Sequence, residues 1–238
     1  MAHPQGAPHG LTMQPGLEKS RTLTSAKGKT YRLTVTNERG DFEHDKKAPP
    51  SLTGRPETDD GEVFMGSARK VAKTSISDAE VTTFASLDDL LATLPLDSKM
   101  RKKPLKNSPR VEEEEKNVTV TAFLYATKKE DDNDFHVIMG SSASVDDAQF
   151  MTAEVSGLPT DAPFKARLAK ARTQFKDFFG DTQLPGSRYV KFDPPVPIKV
   201  TGSLFYDIDH KPGDIGPLGN RPATSWEVHP VTDIVFEP

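Results

Sequence analysis

Two histidines and two glutamates, His136, Glu154, Glu227 and His229, are the residues best suited to hold a cation or move a proton. Each falls at a polar position of an alternating strand pattern. Imidazoles and carboxylates within reach of one another bind Zn²⁺ or a similar ion and leave a coordination position open. The same pairing supplies a general acid and a general base. Glu227 and His229 are two apart, which puts them on one face of a strand. This Glu-x-His spacing is less specific than His-Glu-x-x-His on a helix. Strand histidines and glutamates more often bond locally or face water.

Two acidic loops form a second candidate site. The turn 128–134 carries Asp131 and Asp134, with Glu130 and Asp132 beside them. The connection 207–224 carries Asp207, Asp209 and Arg221, with His210 and Asp214. A connection of that length with no structure of its own is often functional. Such loops repel phosphate and attract a divalent cation, an amine or a sugar. Against this, Asp and Asn are ordinary turn residues. The run from Asp207 is not an EF-hand, because Lys211 and Pro212 stand where a ligand and the turn glycine belong. The chain has no cysteine, which excludes disulfides, thiolate metal sites and thiol nucleophiles. It also lacks a Gly-rich phosphate loop and a Gly-x-Ser-x-Gly elbow.

The elements that must position these residues follow from periodicity. Alternation predicts strands near Asn117–Thr127, Phe135–Met139, Phe150–Val155, Val196–Asp207 and Ser225–Phe236. Val118, Val120, Ala122, Leu124 and Ala126 share one face, as do Phe135, Val137 and Met139, and Met151, Ala153 and Val155. His136, Glu154, Glu227 and His229 then point outward. Pro230 implies an edge or a bulge in the last strand. Apolar residues at 164, 168, 171, 175, 178 and 179 predict an amphipathic helix near Asp161–Phe179. Five strands with one helix between the third and fourth describe a mainly β, OB-like Greek-key barrel, which binds ligands on strands two and three and on the adjoining loops.

The barrel is expected over 112–238, a short helical lead-in over 81–111, and a largely disordered extension over 1–80. In the lead-in, Leu87, Leu90, Leu91 and Leu94 form one stripe, and Ser86 with Asp89 has capping-box spacing. In the extension, Thr30–Thr36 alternates like a strand, and Val63 and Met65 are expected to pair back with it. Residues 1–28 and 37–61 are polar with little to bury.

Charge divides the chain. Residues 1–111 carry 18 Lys/Arg against 14 Asp/Glu, and residues 112–238 carry 13 against 21. An acidic barrel is a poor generic nucleic-acid binder. No apolar run is long enough to span a membrane, and Met1 to Leu11 lacks the apolar core of a signal peptide, so the cytoplasm is expected.

Asp132-Asn133-Asp134-Phe135-His136, followed by Glu154 and by Glu227-Val228-His229-Pro230-Val231, resembles a set of uncharacterised bacterial OB-fold-like proteins. These carry similar Asp-x-Asp-x-His and Glu-x-His-Pro-Val segments. The resemblance spans residues 86–238 and implies the barrel fold without an activity. The favoured function is a non-enzymatic OB-like module for an unknown small ligand, glycan or protein, with no cofactor beyond a divalent metal. The alternatives are a metal-dependent hydrolase, of phosphoesters for example, that uses the outward His/Glu set, and an interaction scaffold tethered by the basic N-terminal half.

Overall fold

A computed structural model describes residues 20–36, 62–103, 105–106, 108–160, 163–180 and 183–238. Its strands are Ser20–Thr24 (β1), Thr30–Val35 (β2), Val81–Phe84 (β3), Asn117–Lys129 (β4), Phe135–Gly140 (β5), Phe150–Val155 (β6), Val190–Tyr206 (β7) and Trp226–Phe236 (β8). Helices are few: Lys70–Thr74 (α1), Leu87–Leu91 (α2), Asp97–Met100 (α3) and Lys165–Phe179 (α4), with 3-10 turns at Glu112–Glu114 and Val145–Asp147.

The protein is mainly β. The sheet has eight strands rather than the expected five, in the order β1-β2-β7-β8-β6-β5-β4-β3, and β7 also pairs with β4. β3–β4 and β6–β8 are parallel, and the other pairs are antiparallel. The helix count also exceeds the expected barrel helix and lead-in, since α1 and α3 are too short to print a period on the sequence.

Three of the extra features have plain causes. β7 starts at Val190, inside the stretch expected to be a Pro-rich approach. Its partnership with β4 jumps from Leu124↔Val196 to Ala126↔Lys191, so Pro194 and Pro195 lie in a bulge where no ladder N–H is needed. β2 pairs with β1 and β7 rather than with Val63 and Met65. That places Ser20–Thr24 in the sheet, against the expectation of disorder over 1–28. The expectations for residues 1–19 and 37–61 lie outside the described residues.

Most of the inward set is where the alternation predicts, but the bulge between Leu124 and Ala126 turns Ala126 to the other face, where it packs with Tyr125 and Ile138. Val120, Leu124, Val137, Met139, Met151, Ala153, Ile198 and Val228 join one buried cluster with Phe175 and Phe179 of α4. Phe175 stacks on Phe135 with ring centroids 4.7 Å apart. α2 is held at its start by a complete Ser86–Asp89 capping box, and Leu87 and Leu90 dock into the same core. At Pro230, β8 shifts register against β7 between Gly202 and Leu204, the bulge that proline in a strand calls for.

The opposite face of the sheet is covered by residues 62–79. Val63 bridges Leu158 in parallel, Phe64 N–H donates to Leu158 O at 2.9 Å, and Met65 N–H donates to Asp132 O at 2.9 Å. Glu62 accepts from Arg172 Nε at 2.7 Å. Gly157 lets this segment approach, since a Cβ there would lie 2.7 Å from Phe64 Cα. The start of α1 is pinned to the 3-10 turn before β4 by the buried Arg69–Glu114 pair, bonded twice at 2.7 Å.

Candidate metal centre

The strand register brings the outward residues together. His136 lies opposite Glu154 in the β5–β6 pair, and Thr152 opposite Glu227 in the parallel β6–β8 pair. Side chains two apart share a face, so Glu154, Glu227 and His229 line one patch. Asp134, at the end of the β4–β5 turn, joins them.

Outward does not mean exposed here. His136 and Glu227 are 1 % exposed, Glu154 is 4 %, and Asp134 and His229 are 0 %. His229 Nε2 lies 3.4 Å from Asp134 Oδ2 and 3.3 Å from Ser156 Oγ. Its Nδ1 lies 2.8 Å from Glu154 Oε2 and 3.6 Å from Glu227 Oε2. The 2.8 Å contact is not aligned as a hydrogen bond, so neither atom has a hydrogen-bond partner. Asp134 Oδ2 and both Glu227 carboxylate oxygens are likewise buried without one. On the other side of Glu154, Oε1 lies 3.7 Å from His136 Nε2. His136 Nδ1 in turn meets Tyr189 Oη at 2.6 Å and Glu130 Oε1 at 3.2 Å.

Two sets of ligand atoms each lie within 4.8 Å of one another: Asp134, Glu154 and His229, and Glu130, His136 and Glu154. Glu154 belongs to both, and Glu227 to neither. The donor chemistry suits a transition ion, because imidazole with carboxylate favours Zn, Mn, Fe or Co over the all-oxygen sites of Ca²⁺ and Mg²⁺.

Electrostatics point the same way. Burial, then the charges of Asp132 and Glu154, push the Asp134 carboxyl well above its usual range. Burial, then Glu154 and Asp207, do the same to Glu227. Burial lowers His229 and favours the neutral, ligating imidazole. The cation that acts on Asp134, Glu154 and Glu227 alike is Lys73 of α1, which lies within the covering segment. The backbone is fixed here too, since Arg110 donates to the carbonyls of Ala72, Ser75 and His229 at 2.7, 2.9 and 2.8 Å.

The loop set divides. Asp134 enters the buried cluster. Asp131 and Asp209 are exposed. Arg221 donates to Gly216 O and Gly213 O of its own loop at 3.1 and 3.2 Å. Asp207 pairs with His210 at 2.5 Å. Burial would raise Asp207, but that hydrogen bond and charge hold it at about 2. Burial would lower His210, but Asp207 lifts it to about 9, with Glu130 adding to the rise. Glu130 of the first acidic loop thus acts electrostatically on His210 of the second.

Lys73, Arg69, Arg110 and Tyr189 carry no sequence signal for this role. They are set by tertiary packing from segments without clear periodicity. Phe205 is 1 % exposed and covered by the Arg69 guanidinium 4.7 Å above its ring. Among the described residues, no helix is long and apolar enough to cross a membrane. No protein-family model matches the chain, and no curated protein matches it.

Proposed function

We propose that the chain is an OB-like binding module whose outer face holds a divalent transition-metal ion through Asp134, Glu154 and His229. The OB-like reading is supported by the succession of pairings β4–β5, β5–β6, β6–β8, β8–β7 and β7–β4, with α4 between β6 and β7. Fold alone would not assign a ligand. The observation that carries the metal is the convergence of Asp134, Glu154 and His229, all buried, whose ligand atoms lie within 4.8 Å of one another. One imidazole and two carboxylates brought this close in a buried site are arranged as ligands around a common cation. Whichever ring nitrogen of His229 ligates, the other faces a carboxylate, the usual way such a ring is oriented.

The test is thermal melting of the full chain after chelation, with Zn²⁺, Mn²⁺ or Co²⁺ titrated back. An ion bound only to the folded state stabilises it by about 2.7 kcal/mol at about 100 times Kd. The melting temperature should therefore climb with ion concentration. Glu154→Gln and His229→Gln should each abolish the climb while the apo proteins still melt cooperatively. A wild-type melting temperature indifferent to both chelator and metal would remove the reading.

A metal-dependent hydrolase is the second reading, and one observation favours it. Glu227 keeps two unbonded carboxylate oxygens, with Oε2 3.6 Å from His229 Nδ1, a general base or acid in waiting. Substrate would have to displace residues 62–79. Turnover of phosphate mono- and diesters by the metal-loaded chain, lost in Glu227→Gln with metal still bound, would establish it. Binding without turnover leaves the binding module.

A further inference from the structure

Resting on the metal reading above, we infer that the outer face holds a pair of ions rather than one, with Glu154 as the carboxylate that bridges them. The second ion takes Glu130 and His136 as its other ligands.

Three independent observations meet on Glu154. Its two oxygens point to different imidazoles, Oε1 to His136 Nε2 at 3.7 Å and Oε2 to His229 Nδ1 at 2.8 Å. A carboxylate serving one ion has no need of a nitrogen donor beside each oxygen. It also belongs to both sets of mutually close ligand atoms, and those sets otherwise share no residue. Each set independently provides one imidazole and two carboxylates, the complement of an ion that keeps an open position.

The carboxylates of this face outnumber the lysines, Lys73 and Lys128, set against them. Glu130, Asp134, Glu154, Asp207 and Glu227 act on one another within the buried face. Lys73 is the shared opposing cation. Asp134 Oδ2 and both oxygens of Glu227 remain without hydrogen bonds at full burial. A single divalent ion beside Asp134 and His229 leaves the Glu130–His136 side with Lys128 Nζ, 3.2 Å from Glu130 Oε1, as its counter-charge. A carboxylate-bridged pair, with the ~3.5–4 Å separation usual for such sites, neutralises both. It would also turn a face that repels phosphate into one that binds an oxyanion across both ions.

The experiment uses the full chain, chelated, loaded with Mn²⁺, and freed of excess ion by gel filtration. Metal content per chain is measured by elemental analysis, and coupling between ions by electron paramagnetic resonance. The expected result is two Mn²⁺ per chain with an exchange-coupled spectrum. His136→Gln should drop the content to one and replace the coupled signal with that of an isolated ion. One ion per chain in the wild type, or two with no coupling, overturns the bridge while leaving the mononuclear reading in place. No bound ion overturns both. The wild-type measurement decides the matter even if a variant fails to fold.

Discussion

The two faces of the central strands are equally dry and chemically opposite. Val137, Met139, Met151 and Ala153 are fully buried on one side, while His136, Glu154, Glu227 and His229 are almost as buried on the other. The inner face owes its burial to the hydrophobic effect and needs no further account. The outer face cannot. Desolvating a carboxylate costs several kcal/mol, and buried carboxylates are retained where they are paired or bind a metal. Alternation thus tells which face a residue is on, and chemistry tells why the face is covered. The inner face serves folding, while the outer face is stabilised against its own charge by Lys73 and Arg110 brought in from elsewhere in the sequence.

The largest test of the contrast is on the inner face. Phe175 stacks on Phe135 and touches Phe179 and Phe236. Phe175→Ala should cost about 3–5 kcal/mol through lost burial and the cavity left behind. Denaturant melts of the two proteins measure it. The metal dependence of the melting temperature should survive, because α4 is not part of the outer cluster. A loss below about 1 kcal/mol would mean that the helix is peripheral to the core.

This contrast also divides what the sequence makes legible. The strands β4, β5, β6 and β8 and the helix α4 print clear periods, and their inner residues are where the periods place them, except Ala126, which the β4 bulge turns to the other face. The capping box at Ser86 is local chemistry and is equally visible. The convergence of His136, Glu154, Glu227 and His229 follows from register, which alternation constrains. Their burial does not follow, because it depends on residues 62–79 folding across the face, and Val63, Phe64 and Lys73 have no repeating pattern to announce that. β1 and β3 were illegible for a related reason. They are edge strands of five and four residues, held by a neighbouring strand more than by their own composition. The extent of β7 was hidden by Pro194 and Pro195, which read as a loop until the bulge accommodates them. Asp134 reads as one more turn aspartate. Only the accepted Gly157 N–H bond at 2.5 Å and the nearby imidazole distinguish it from Asp131.

A smaller effect separates polar groups that have partners from those that lack them. Asp207 and His210 form a closed pair at the rim. The Asp207 pKa is depressed to about 2, so its contribution is full above its unfolded value near 3.8 and is lost as pH falls toward 2. The His210 pKa is raised to about 9, so its contribution is full below 6.5 and is lost as pH rises through 9. The pair therefore stabilises most between about pH 4 and 6.5, by roughly 2–3 kcal/mol counted once for both partners. Urea melts of wild type and Asp207→Asn/His210→Gln should differ most near pH 5.5 and converge by pH 10 at one end and near pH 2 at the other. A gap that stays constant across that range would mean the two side chains contribute shape rather than charge.

The smallest expected effect on stability is the most informative about the outer face. Both carboxylate oxygens of Glu227 are buried without a hydrogen bond, beside Glu154 and His229. An acid in that position gains nothing from being ionised when no metal is present. Replacing it with an amide of the same shape removes a source of repulsion and adds no volume. Glu227→Gln should therefore leave the chelated protein within about 1 kcal/mol of wild type, far below the cost of removing a group that makes stabilising contacts. A chelated variant weaker by about 3 kcal/mol would show that Glu227 is one half of a buried ion pair, and the outer face would then be a stabilising network after all. A near-neutral change marks an acid retained at a cost to folding, which is the behaviour expected of a residue kept for what it does to a bound ion or its ligand.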